Sequence, residues 1–135
     1  MSIQIPDSHI ELLTGPVVVG LVTIMEDGQP QASPVWVDYE DGYIYINTAR
    51  GRVKDRNMSA RPKVTVLAID PTNPYRYLEV RGEVVGADES RGLEHINKMS
   101  KKYTGNADYY SRNPSAKGQE TRVVYKIKPT HVVTH

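Results

Sequence analysis

Four basic residues fall on alternate positions of one short stretch, Arg50, Arg52, Lys54 and Arg56, which follows a hydrophobic run and stops at Pro62. A turn that leads into a helix leaves backbone N–H groups free beside the positive end of the helix dipole, and phosphates or carboxylates bind there. Arginine adds a bidentate fork and lysine a compact charge. The stretch therefore predicts an anion site, although a solvated, charged helix face explains the same pattern.

The overall composition limits the classes of partner. The 135 residues include 17 basic and 16 acidic ones, for a net charge of +1, so no overall field draws the chain to nucleic acid or membrane. There is no cysteine, which excludes disulfides and thiolate nucleophiles and fits a reducing compartment. The first residues lack the basic and long apolar regions of a signal peptide. We therefore expect a single cytoplasmic domain.

Hydrophobic patterning predicts a mainly β chain with short helices. Two Asp-Gly pairs, at 27–28 and 41–42, are strong hairpin signals and should join the first three strands into a meander. Pro129 should bend the last strand or divide it into two short ones. The predicted strands cover residues 16–25, 31–40, 43–47, 63–70, 75–87 and 121–135, the predicted helices cover 7–14, about 52–60 and 88–103, and 104–118 should be irregular. Their order alone leaves OB-like, split-barrel and sandwich closures open.

Pro34 and Gly82 each lie inside a predicted strand. Because proline has no N–H to donate, Pro34 indicates an edge strand or a bulge, and Gly82 also suggests a bulge. Unpaired backbone groups beside Pro34 could bind the polar edge of a planar ligand. Trp36, the one tryptophan, is equally well explained as a core aromatic residue.

Three motifs in a fixed order carry a family resemblance: SPVW at 33–36, NTARGRVKDRN at 47–57 and YRYLEVRG at 75–82. With them the chain resembles the pyridoxamine 5′-phosphate oxidase-like split β-barrel superfamily. Within it, the chain looks most like the branch of small reductases that use the deazaflavin coenzyme F420. The resemblance covers about residues 12–135. It implies a mainly β fold, a split antiparallel β-barrel (the FMN-binding split barrel) with short helical insertions, in one domain over 1–135.

The resemblance also implies a homodimer with cofactor sites at the subunit interface. Matched motif by motif, it assigns four residues to the ring (Ser33, Pro34, Val35 and Trp36), four to the ribityl chain (Asn47, Thr48, Ala49 and Arg50) and two to the phosphate (Arg52 and Lys54). It also assigns Asn57 to the link between helix and turn, and Tyr75 and Tyr77 to the contribution from the second subunit. No residue is assigned to catalysis or to a metal.

The implied function is that of an F420-dependent oxidoreductase, which transfers a hydride between the deazaflavin and an electron-poor conjugated small molecule. FMN is the alternative cofactor, because it shares the ring, the ribityl chain and the phosphate. A module that holds a flavin, a deazaflavin or haem without turnover is a further alternative. F420 also has an acidic tail, and the cations available for it are Arg50, Arg56, Arg61 and Lys63. Side chains that could exchange a proton are Tyr39, Tyr77 and His131.

Overall fold

A computed structural model describes residues 3–135; Met1 and Ser2, which belong to the predicted domain, lie outside the described residues. Within that range no helix is long and apolar enough to span a membrane. Two 3₁₀ turns, Tyr109–Ser111 and Pro114–Ala116, occupy the segment predicted to be irregular. The strands are β1 (Val19–Ile24), β2 (Pro30–Val35), β3 (Asp38–Glu40), β4 (Tyr43–Ala49), β5 (Lys63–Asp70), β6 (Asn73–Asp88) and β7 (Arg122–Thr134), and the helices are α1 (Glu11–Thr14), α2 (Val53–Ala60) and α3 (Gly92–Thr104).

The strands form one antiparallel sheet in the order β2-β1-β5-β6-β7-β4-β3, which confirms the mainly β, split-barrel fold with short helical insertions. The pairing of β6 with β7 shifts register between Arg81 and Gly82, as expected of a bulge. A Cβ on Gly82 would lie 2.7 Å from the Lys128 carbonyl oxygen, so only glycine fits this crossing. β2 is an edge strand, as Pro34 predicted.

The predicted three-strand meander is wrong in its second strand. The chain leaves the ladder after Val35, and β2 and β3 lie at opposite edges of the sheet. The Val37 N–H donates to the Tyr103 hydroxyl at 2.9 Å, and the Val37 carbonyl accepts from Lys102 Nζ at 2.6 Å. Because α3 supplies hydrogen-bond partners for both backbone groups, the strand can end here without leaving polar atoms unpaired.

Several element boundaries also differ from the prediction. The opening helix starts only at Glu11, and no side chain caps it. α3 starts at Gly92 because Asp88 still belongs to β6, where it pairs with Val124 of β7, and its side chain accepts the Ser90 N–H at 2.9 Å, which makes a turn. Of the two alternatives predicted for the last strand, the structure has the single strand, which runs through Pro129. β4 runs on to Ala49, two residues past its predicted end.

The core lies on one face of the sheet, and α1 and α2 add three of its side chains. Eighteen buried apolar side chains form one cluster, among them Leu13, Leu21, Ile46, Leu78 and Tyr125. Burying a side chain of this kind contributes about 1.5–3 kcal/mol. α3 approaches the sheet most closely at Gly92, where an added Cβ would lie 2.3 Å from the Arg122 carbonyl oxygen. The helix can therefore rest on β7 only if residue 92 is glycine.

Gly92→Ala is expected to lower the free energy of unfolding by about 1–3 kcal/mol, because the new methyl group overlaps a fixed backbone oxygen. Gly86→Ala is the matched control, since its Cβ would meet Lys126 Cβ at an ordinary 3.8 Å. Urea unfolding of both variants measures the difference. Equal stability of the two variants would contradict the close approach.

Candidate functional site

One cleft of about 360 Å³ opens between the end of β2, the strand β4, the start of α2 and α3. Its lining combines apolar and aromatic side chains with three cations. Seven of the residues expected from the sequence line it: Pro34, Val35, Trp36, Asn47, Thr48, Arg52 and Lys54. The fold adds Val18, Ile96, Met99, Tyr109 and Arg122.

Aromatic rings form part of the cleft wall. Trp36 stacks on Tyr103 with the ring centroids 5.1 Å apart and the planes 9° from parallel. Tyr109 meets Trp36 edge-on at 6.1 Å. Such offset and edge-to-face pairs add roughly 0.5–1.5 kcal/mol to burial. Trp36 is thus fixed in orientation, beside the edge strand that carries Pro34.

Three cations also line the cleft. Arg52 precedes α2, Lys54 lies in its first turn, and Arg122 begins β7. Among residues 3–135 the Lys54 ammonium has no ion pair and no side-chain hydrogen bond. Its pKa is lowered, first by burial and then by repulsion from Arg52 and Arg122. An anion bound here would relieve that repulsion.

Glu120 balances part of this charge. Its Oε1 accepts from Arg122 Nε at 2.9 Å and from the Tyr110 hydroxyl at 2.9 Å. Its Oε2 accepts from Arg52 Nη2 at 3.4 Å. The Arg122 side chain, 5% exposed, also donates to the Tyr109 hydroxyl at 2.8 Å. Arg122 is therefore a fixed part of the wall, whereas Arg52 reaches the carboxylate from the rim.

A buried chain of hydrogen bonds fixes the amide of Asn47. Its Nδ2 donates to the Gly92 carbonyl at 3.0 Å and to His95 Nδ1 at 3.2 Å. Since Nδ1 accepts, the proton of the neutral ring is on Nε2, which donates to Asp38 at 2.9 Å. Both amide hydrogens of Asn47 are thereby used inward. The oxygen Oδ1 is left for Arg122 and for a ligand.

Two buried hydroxyl oxygens, Ser33 Oγ and Thr48 Oγ1, have no hydrogen-bond partner among the described residues. An unpaired buried polar group costs about 1–3 kcal/mol. Thr48 lines the cleft, so a polar ligand group that bonded to it would remove such a cost. Residues beside the cleft thus fit a ligand with hydroxyls as well as an anion.

The structure does not bring the other predicted residues into the lining. Arg50 forms ion pairs with Asp55 at 3.0 Å and Glu89 at 2.7 Å. Asn57 is buried and donates to Thr23 Oγ1 at 2.9 Å, so it holds α2 to β1. Ser33 and Ala49 flank the cleft without lining it.

Tyr75 and Tyr77, expected from a second subunit, lie on β6 outside the cleft of their own chain. Tyr75 is 79% exposed, and Tyr77 stacks on His135 at 5.6 Å. Of the three candidate proton donors, neither Tyr39 nor Tyr77 nor His131 lines the cleft. Tyr109 is the lining residue that has a phenolic hydroxyl.

Sequence reasoning missed Tyr109, Arg122 and the two apolar residues of α3. The spacing of Ile96 and Met99 on α3 is ordinary for a core-facing helix. Arg122 is one of several charges in its segment. No local signal separates these residues from their neighbours, because only the packing of α3 and β7 brings them to the cleft.

Asp38 should make stability depend on pH at acid values. Burial alone would raise its pKa, but hydrogen bonds from His95 and Lys98 outweigh burial and lower the pKa to about 2. A carboxylate with a lowered pKa stabilises the fold above its unfolded value and loses that contribution as pH falls through the folded value. We expect about 2 kcal/mol to be lost between pH 5 and 2.

The measurement is urea unfolding of wild type and Asp38→Asn across that range. The variant should lack this part of the acid dependence. Asp41→Asn is the control, because Asp41 is an exposed turn residue whose left-handed backbone, at φ 53°, asparagine also adopts. A wild-type acid profile in Asp38→Asn would contradict the role of the buried carboxylate.

Comparisons with known proteins give a consistent result. The family described as pyridoxamine 5′-phosphate oxidase matches residues 5–135. A solved structure described as an F420 reductase is 30% identical, with a TM-score of 0.81 over 96% of this chain and 98% of that one. No curated protein matches the chain in sequence.

More distant structures support the fold alone. A conserved hypothetical protein from Mycobacterium tuberculosis is 23% identical, with a TM-score of 0.71 over 98% of this chain and 86% of that one. HupZ of Group A Streptococcus is 13% identical, with a TM-score of 0.69 over 97% of this chain and 94% of that one. With the family match over nearly the whole length, the split barrel and the motifs at 33–36 and 47–57, the chain belongs to the pyridoxamine 5′-phosphate oxidase family.

Proposed function

We propose that the protein is an F420-dependent oxidoreductase, which transfers a hydride between the deazaflavin cofactor and an electron-poor conjugated small molecule. The observation that carries the proposal is the composition of the cleft lining, which brings Trp36 and the edge strand together with Arg52 and Lys54. A molecule built of a planar ring, a polyol chain and a phosphate has matching chemistry. The identity of 30% to an F420 reductase supports the deazaflavin branch.

Each part of such a cofactor has matching groups in the cleft. Arg52 and Lys54 would bind the phosphate through charge-assisted hydrogen bonds. The unpartnered Thr48 hydroxyl and Asn47 Oδ1 would bind ribityl hydroxyls. The backbone of β2 beside Pro34, at the open edge of the sheet, would bind the polar edge of the ring.

When bound, the cofactor would supply the hydride chemistry at its ring. The chain's contribution would be to bind the ring, orient it and exclude water. Val35, Ile96 and Met99 provide apolar surface for this purpose. The inward hydrogen bonds of Asn47 fix its orientation before the ligand arrives, which lowers the cost of binding.

FMN is the second candidate cofactor, because its ring, ribityl chain and phosphate match the same cleft groups. Of the cations expected to bind the F420 tail, Arg50 is held by its ion pairs. Arg61 is also engaged, since its Nε donates to the Ile24 carbonyl at 2.6 Å. Lys63 is exposed and remains available for the tail. Arg56 is also exposed, although its Nη1 donates to the Gly51 carbonyl at 3.0 Å.

We also propose that the protein is a homodimer with the cofactor at the interface. In an antiparallel sheet, paired residues share a face, and Gly20 pairs with both Pro34 and Leu67. Part of their outer face is apolar: Leu67 is 37% exposed and Ile69 is 47% exposed. Pro34 and the neighbouring Val18, 56% exposed, also line the cleft. A second copy on this face would therefore border the cofactor site.

Titration with F420 and, separately, with FMN tests the cofactor, with fluorescence at modest salt as the readout. Tight binding of F420 alone is expected. The double variant Arg52→Ala, Lys54→Ala should lose a few kcal/mol of binding free energy, since charge-assisted hydrogen bonds contribute about 1.5–3 kcal/mol each. Oxidation of the reduced cofactor by a panel of quinones and nitro compounds then separates an enzyme from a binding module.

The matched control replaces Lys101 and Arg112 with alanine, which removes the same charge from exposed positions outside the cleft. Its affinity should stay near that of wild type. Equal losses in the two double variants would mean that overall charge, rather than this site, attracts the cofactor. Binding of FMN alone would move the protein to the flavin branch.

Leu67→Lys tests the dimer, because a charge in the middle of an apolar interface is costly to bury. We expect wild type to sediment as a dimer and Leu67→Lys as a monomer with weakened cofactor binding. Leu93→Lys is the control, since Leu93 is 57% exposed on α3, away from that face. A monomeric wild type with full cofactor affinity would overturn the interface arrangement.

A further inference from the structure

We propose that Glu120 is a charge-selectivity residue, whose carboxylate weakens the binding of doubly charged phosphomonoesters more than that of singly charged phosphodiesters. This inference rests on the proposed function, because it requires a ligand whose phosphate lies beside Arg52. It adds a residue outside the sequence motifs and outside the cleft lining.

The position of Glu120 is fixed by three donors from three parts of the chain. Arg122 Nε and the Tyr110 hydroxyl each donate to Oε1 at 2.9 Å. Arg52 Nη2 donates to Oε2 at 3.4 Å. The Glu120 side chain is 15% exposed and that of Arg52 is 48% exposed. The carboxylate is thus held from the interior, and the arginine approaches it from the solvent side of the cleft.

Glu120 is the carboxylate that acts on the cations of the cleft. Arg52, Lys54 and Arg122 carry three positive charges, and no aspartate or glutamate lines the cleft. Asp55, in the same turn of α2 as Lys54, is held by Arg50 and by the Tyr125 hydroxyl at 2.6 Å. With Glu120 the cluster therefore has a net charge of +2, and without it +3.

A phosphate bound by Arg52 would lie close to Oε2 of Glu120 and would compete with it for the same guanidinium. The repulsion between the two anions grows in proportion to the charge on the phosphate. A phosphomonoester has a second pKa of about 6 and carries nearly two charges at neutral pH. A phosphodiester carries one. Glu120 therefore costs the monoester about twice as much binding free energy as the diester.

The two candidate cofactors differ in the type of their phosphate. The phosphate of the deazaflavin cofactor joins the ribityl chain to the tail and is a diester, whereas that of FMN is a terminal monoester. Because the carboxylate opposes the second charge, Glu120 shifts the preference of the cleft toward the deazaflavin. The phosphate clamp of Arg52 and Lys54 alone would not do so.

The experiment compares ligands that share one ring system and differ in the charge of the phosphate. Affinity is measured for a ribityl compound without phosphate, for its 5′-monophosphate at pH 5, and for the same monophosphate at pH 7.5, in wild type and Glu120→Gln. The flavin pair is riboflavin and FMN, and the deazaflavin pair is the corresponding ribityl deazaflavin and its 5′-phosphate. Each ratio compares the variant with wild type at one pH, so the effect of pH on other groups of the protein largely cancels.

Glu120→Gln should leave the affinity for the phosphate-free ribityl compound unchanged and strengthen binding of the singly charged monophosphate by roughly fivefold. Binding of the doubly charged form should then strengthen by about the square of that factor, roughly 25-fold. Glu120→Asp keeps the charge and should respond like wild type. Glu11→Gln removes a carboxylate that pairs with Arg76 far from the cleft, and should show no change. If Glu120→Gln does not fold, Glu120→Ser repeats the neutralisation with a smaller side chain.

The outcomes separate this inference from the proposed function. Equal gains for the neutral, singly charged and doubly charged ligands would overturn the charge-selectivity role, as would no gain with either phosphate form. Absence of binding by both pairs in wild type would overturn the proposed function, and this inference with it.

Discussion

The interruption of the strand at Trp36 and Val37 is the constraint on which the cleft depends. A strand that continued through Val37 would pair its N–H and carbonyl within the sheet, and an unpaired buried group of either kind costs about 1–3 kcal/mol. Tyr103 and Lys102 of α3 supply those bonds instead. The chain can therefore cross from one edge of the sheet to the other, which places Trp36 at the crossing, beside the cleft.

The same helix is fixed along its whole length. At its start, Gly92 lets the backbone rest on Arg122. In its first half, His95 bonds to Asp38 on the edge strand β3, and at its end Tyr103 donates to the Val17 carbonyl at 2.7 Å. Ile96 and Met99 lie between these anchors and face the cleft. The wall is therefore positioned by contacts that no ligand has to make.

The charge of Lys102 shows what this arrangement costs. Burial lowers its pKa, which means that the ammonium gives up part of its hydration to reach the carbonyls of Leu13 and Val37. Two short hydrogen bonds to a charged donor, each about 1.5–3 kcal/mol, offset that loss. A cation is thus used as a structural clamp for backbone oxygens at a point where two chain segments diverge.

The sequence was informative wherever a pattern is local. β5 was predicted to the residue because alternation over 63–70 is strong. Of the four alternating cations, Arg52 and Lys54 line the cleft, whereas Arg50 turns to Asp55. Alternate positions share a face in a strand, but a helix begins at Val53, so the four cations diverge.

The predictions failed where the structure is determined by a contact with a residue far away in the sequence. Val35 and Val37 continue the alternation of a strand, and nothing nearby warns of the break. Its cause is a tyrosine 66 residues later. The contact between Arg52 and Glu120 spans 68 residues, and both residue types are common on exposed turns. Contacts over such distances arise only when the sheet and the helices pack together, so the spacing of residues in the sequence does not predict them.

Within the cluster of Arg52, Lys54 and Arg122, the distribution of charge distinguishes a structural cation from a cation that can bind a ligand. Arg122 is buried, and its charge is matched by Glu120, as a buried cation requires for stability. Lys54 has no such partner among the described residues, and its lowered pKa reflects burial and two neighbouring cations. The fold thus neutralises the cation that supports the wall and leaves the other in an unfavourable state. Because an anion would reverse that repulsion, part of the stability given up at Lys54 would return as affinity for a phosphate.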